Sequence, residues 1–170
     1  MRTTTMQALC LLALASCRAP LGIVDAASEA QTASLLGSLK PLAGLWELRV
    51  PGAPPATTVF AVGAGGTIVR ETMMPGDVQE MTNVYHMDGA TLLMTHYCGA
   101  GNQPRMRATA RDGNSIQFAF EGASDLQRGE HCMGSMRLTF VDADMITQDW
   151  THHDEDGPGE TVRFVLARVK

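Results

Sequence analysis

The chain has 170 residues, 45% hydrophobic and 18% charged, with a formal net charge of −5. This length builds one buried core and leaves no room for a second domain. Its Arg residues are scattered from Arg2 and Arg18 to Arg168 without clustering, so the basic footprint of a nucleic-acid-binding protein is missing and nucleic acid is excluded as a partner.

Residues 1–16 read as a signal peptide. Arg2 and the polar run Thr3-Thr4-Thr5 precede an apolar stretch from Ala8 to Ala15, too short to remain in a bilayer as a helix. The closing Leu14-Ala15-Ser16-Cys17 resembles the lipobox of bacterial lipoproteins, which implies cleavage before Cys17 and lipidation of its thiol. An acylated Cys17 holds a protein at a membrane surface without a span. Cleavage after Ala26 or Ala27 without a lipid is the alternative. The expectation is export to the bacterial cell envelope, in the periplasm and lipid-anchored. Removing residues 1–16 takes away Arg2 alone among the 13 Lys and Arg and none of the 18 Asp and Glu, so the mature net charge is −6.

Residues 17–43 read as a tether and short helix. Leu35, Leu36, Leu39 and Leu42 recur at helical spacing and stop near Pro41, and a helix of this kind plugs one end of the domain C-terminal to it. Residues 44–170 read as a β-barrel domain. From Trp46 onward, short Thr-, Val-, Ile-, Phe- and Tyr-containing segments alternate with Gly-, Pro- and Asp-rich turns such as Pro75-Gly76-Asp77 and Asp112-Gly113-Asn114. This is an all-β pattern. The short connections predict an antiparallel up-and-down barrel of 8–10 strands, with a two-sheet sandwich as the alternative.

Asp88-Gly89 marks the clearest hairpin. It predicts Tyr85 opposite Leu92, Asn83 opposite Met94 and Met81 opposite His96. Alternation then puts Met81, Asn83, Tyr85, Leu92, Met94, His96 and Cys98 on one face, the more apolar one and the expected interior. His86 falls on the other face, so it cannot share a site with His96.

Gly44-Leu45-Trp46, preceded by the short helix, resembles the Gly-x-Trp opening of the calycin superfamily, which includes the lipocalins. The resemblance implies a last-strand Arg stacked on the Trp, with Arg163 and Arg168 available. Three further stretches, Glu71 to Gly76, Val84 to Gly89 and Met94 to Met106, are similar to a family of bacterial lipocalin-like proteins of unassigned function. The likeness continues through Thr139 to Asp144 and Trp150. It implies a fold and no activity. That family carries His-Met-His where this chain has Cys132-Met133-Gly134 beside His131, a departure that counts against carrying over a metal role for paired histidines.

Met94, His96 and Cys98 on one strand face suit Cu(I) or haem iron. The competing reading is a core in which Met fills gaps and His96 is hydrogen-bonded to a neighbour such as Asn83. No metal ligand is assigned and no cofactor is expected, with haem or copper the alternative. Cys98 and Cys132 either pair across strands in the oxidising compartment or stay as buried thiols. Arg105 and Arg107 share a face; they point to solvent, or, if the preceding loop turns inward, Gln103 and Arg105 contact a ligand. His152 to Asp156 reads as a solvated hairpin tip. No Gly-x-Ser-x-Gly, paired metal-histidine motif or phosphate loop occurs, so no catalytic nucleophile is assigned.

The resulting expectation is a lipid-anchored module whose barrel interior binds a small apolar or amphipathic molecule, lined by Tyr85, Leu92, Met94, His96, Phe118 and Trp150. A haem- or copper-binding envelope protein using His96 is the second reading. The third is a structural envelope protein with a filled barrel.

Overall fold

A computed structural model describes residues 22–170. The leader and Cys17 lie outside the described residues. Among them, no helix is long and apolar enough to cross a membrane.

The first helix among the described residues is set by its cap. Ser28 accepts from the Gln31 backbone N–H while the Gln31 side chain accepts from the Ser28 N–H, satisfying two donors that a helix start otherwise leaves free. Helix α1 (Glu29–Ser34) breaks at Leu35 (φ −98°, ψ −94°), continues as α2 (Leu36–Leu39) and tightens into a 3₁₀ turn over Lys40–Leu42. Pro41, which has no N–H to donate, suits that tightening. The break lets adjacent Leu35 and Leu36 both turn inward, and with Leu39 and Leu42 they are buried in the core. The predicted plug is present.

Eleven strands come after the plug. They are β1 (Gly44–Arg49), β2 (Ala56–Gly63), β3 (Ile68–Met73), β4 (Met81–Asp88), β5 (Thr91–Tyr97) and β6 (Gln103–Ala108), then the two-residue β7 (Arg111–Asp112), β8 (Ser115–Ser124), β9 (Cys132–Phe140), β10 (Met145–Asp154) and β11 (Gly157–Arg168). Ten of them form the ring in chain order, all antiparallel; β7 extends the line of β6 along β8, and the ring closes through β6–β8 and β1–β11. A closed ring leaves no sandwich and no open edge.

The β4–β5 hairpin keeps the predicted faces but not the predicted register. Tyr85 faces Met94, Asn83 faces His96 and Met87 faces Leu92. The two-residue turn is Gly89-Ala90 rather than Asp88-Gly89, because Asp88 still pairs with Thr91 and Gly89 supplies the positive φ, 54°. Gly suits the first central position of such a turn. A slip of two residues leaves every side chain on its face.

One end of the barrel is sealed by the helices. The strand–helix seam is locked by Trp46, whose Nε1 donates to the Leu42 carbonyl at 2.7 Å, and by Arg168, whose guanidinium lies 4.4 Å over the indole and donates to the Ala43 and Pro41 carbonyls. Of the two Arg on the last strand, Arg168 makes the stack; Arg163 instead pairs with Asp149 on the outer wall. Gly44 is required here: its φ is +132°, and a Cβ would stand 3.3 Å from Arg168 Nη1. The opposite end, where the β1–β2, β3–β4, β5–β6, β8–β9 and β10–β11 connections lie, is the mouth.

Candidate functional site

Alternation puts one polar residue on the apolar inner face of each of several strands. Glu71 lies between Val69 and Met73 on β3, Asn83 beside Tyr85 on β4, His96 beyond Met94 on β5, and Gln148 between Ile146 and Trp150 on β10. The curved wall converges them. Glu71 is fully buried and accepts three hydrogen bonds: from Asn83 Nδ2 and the Tyr85 hydroxyl, both at 2.7 Å, and from Gln148 Nε2 at 2.8 Å. Gln148 in turn accepts from Trp150 Nε1 at 3.0 Å. Burial pushes the Glu71 carboxyl above its ordinary range, and the Asn83, Tyr85 and Gln148 donors pull it back.

This arrangement fixes the histidine tautomer. Because Asn83 spends its amide nitrogen on Glu71, it presents its oxygen to His96 Nδ1, 2.7 Å away. Nδ1 therefore carries the proton and donates, which leaves Nε2 as a bare acceptor. Burial lowers the His96 pKa to about 4, so the ring is neutral at pH 7. The ring is 2% exposed and stands 5.0 Å from the Trp150 ring, yet Nε2 has no hydrogen-bond partner.

One residue beyond His96, at Tyr97, β5 ends at the mouth end of the barrel. Cys98 N–H donates to the Asn102 carbonyl, and Asn102 Nδ2 reaches across to the His131 carbonyl at 3.2 Å, tying the β5–β6 and β8–β9 connections together. Asn102 is itself buried, and its Oδ1 also lacks a partner. Cys98 and Cys132 are free thiols; burial and the proximity of Cys98 push the Cys132 thiol up. Cys98 is half-buried and Cys132 buried.

The strand ladder is irregular here, with shifts around Thr151, His152 and His153. His153 lies so close over Gly134 that a Cβ there would fall 2.4 Å from the ring. Bulges of this kind re-aim side chains at strand ends. Asp154 to Asp156 are exposed at the hairpin tip, whereas His152 and His153 remain half-buried on β10. Among the described residues, no group of three or more His, Cys, Asp and Glu side chains is placed to hold a metal ion.

The residues expected to line the interior divide into two sets. Tyr85, Met94, His96, Phe118 and Trp150 come together inside the barrel, with Leu92 lower, toward the plug. Each is at most 2% exposed, so they pack on one another and fill the middle and lower barrel. Gln103 and Arg105 do not join them. Gln103 is half-buried and donates to the Gly101 carbonyl, while Arg105 is exposed on the outer wall and reaches Ser124. Alternation is the reason: Pro104 and Met106 take the inward positions on β6.

Glu71 and Gln148 were not foreseen as part of a site. The signal was a polar residue on an otherwise apolar alternating face in Val69-x-Glu71-x-Met73 and Ile146-x-Gln148-x-Trp150.

No protein-family model matches the chain, and no curated protein matches it. Among solved structures it is similar to a redesigned β-barrel, with a TM-score of 0.37 and 11% identity over 81% of this chain and 99% of that one. The functional reading therefore rests on the chain's own residues.

Proposed function

We propose that this is an exported, lipid-anchored binding module of calycin-like architecture. It seats a small, uncharged amphipathic molecule at the barrel mouth, where His96 Nε2 accepts a hydrogen bond from it. The stack of Arg168 on Trp46 supports the architectural part. The observation that carries the functional part is the partnerless Nε2 on a buried ring whose other nitrogen is held. Leaving a buried acceptor unpaired costs about 1–3 kcal/mol, and native proteins rarely leave one so. A hydroxyl or amide donor from a ligand recovers that cost.

Charge narrows the ligand class. The Glu71 carboxylate is separated from His96 by Asn83 alone, and neither Arg105 nor Arg107 enters the barrel. An anionic headgroup would meet a large desolvation cost there without a compensating cation. A neutral donor would not. The filled lower barrel serves as a floor, so the ligand is one that seats at the mouth instead of threading the interior.

Titration with a monoacylglycerol and with the fatty acid of the same chain length tests this reading. The domain is expected to prefer the monoacylglycerol, and H96F is expected to weaken that binding about tenfold, the equivalent of one buried hydrogen bond. Equal or tighter binding of the fatty acid, or an unchanged H96F, would overturn it.

A further inference from the structure

We propose that the helix-plugged end of the barrel is the face that lies against the bilayer, so that the mouth with His96 points away from the membrane. This rests on the Cys17 anchor proposed above. Three separate observations set the direction.

The first is where the chain enters the domain. The arm before α1 lies across the plugged end: the Asp25 carbonyl sits so close over the β4–β5 turn that a Cβ on Gly89 would come within 2.8 Å of it, and Val24 and Asp25 share a groove with Leu36, Lys40, Gly66 and Met87. Four residues separate Cys17 from Gly22, and the five extended steps between them reach at most about 18 Å. A lipid on Cys17 therefore stays near the plugged end.

The second is the distribution of exposed apolar side chains. Ile23, Leu45, Val62, Val141, Met145 and Val169 all belong to the arm, strand ends or connections of the plugged end. The mouth end has only Val78, Tyr97 and Phe120 among the exposed large hydrophobics. Apolar side chains gathered around one pole suit the boundary between headgroups and acyl chains.

The third is charge. The mouth connections carry Asp77, Glu80, Asp125, Glu130, Glu155 and Asp156 against one cation, Arg128. At the plugged end Lys40, Arg111, Arg168 and Lys170 are interspersed with the acids. Anionic headgroups repel the first surface far more than the second.

Hydrogen–deuterium exchange on the full chain, matured in bacteria and placed in phosphatidylethanolamine/phosphatidylglycerol nanodiscs, tests the orientation against the same chain in detergent. Intact-mass measurement of the same sample reads the acylation of Cys17. The proposal expects slowed exchange over residues 22–28, 62–68 and 141–145, with residues 74–80 and 125–131 unchanged. Slowing at 74–80 and 125–131 in an acylated chain, or at neither end, would overturn the orientation alone. A chain without the acyl mass would remove the anchor and the orientation together.

Discussion

Asn83 decides what His96 can do. Its amide has one nitrogen and one oxygen to offer, and the three-donor cluster on Glu71 claims the nitrogen, so the imidazole receives the oxygen and keeps a bare Nε2. Stability should report this state through pH. The ordinary imidazole pKa of 6.5 falls to about 4 for folded His96 because burial disfavours the charged ring. Between these values the unfolded chain binds the proton and the folded chain does not, so stability rises with pH through this window. The contribution is complete above about pH 6.5 and is lost as pH falls toward 4, on the order of 3 kcal/mol in all. Glu71, raised by burial, works in the opposite sense as its unfolded counterpart ionises. The difference between wild type and H96Q isolates the histidine. In urea denaturation at pH 7 and pH 5, wild type should lose more stability on acidification than H96Q; equal losses would show that His96 titrates normally in the fold.

At the scale of elements, the Arg168–Trp46 contact joins the last strand, the first strand and the helical plug. One guanidinium stacks on the indole, donates to the Pro41 and Ala43 carbonyls and meets Asp144 at 3.3 Å. R168M should cost about 2 kcal/mol by thermal or chemical unfolding, because the cation–π contact and the carbonyl partners go together. R163M, which removes an outer-wall pair with Asp149, should leave the midpoint nearly unmoved; a reversed order would contradict the seam.

Much of this scale was legible in the sequence. Leucine spacing located the plug, alternation located the inner face, and even the hydrogen bond between His96 and Asn83 followed from their sharing that face. The Gly89-Ala90 turn was misplaced because the same faces result from two registers, and only the backbone angle at Gly89 separates them. Glu71 escaped because its partners stand 12, 14 and 77 residues away. No local pattern ties β3 to β10 until the ring closes and brings their inner faces together.

As a whole molecule, the barrel has two unlike ends: a floor of leucines under a filled core, and a mouth end toward which an ordered polar chain runs, stopping at a buried, unpaired acceptor. The proposed function stands or falls on whether this acceptor holds a ligand. Native mass spectrometry of the chain released gently from membranes measures that most directly. Wild type should retain a small uncharged amphipathic molecule, and H96F, folded to the same extent by circular dichroism, should release it. An empty wild-type barrel, a molecule retained equally by H96F, or a chain carrying haem or copper would contradict the proposed function.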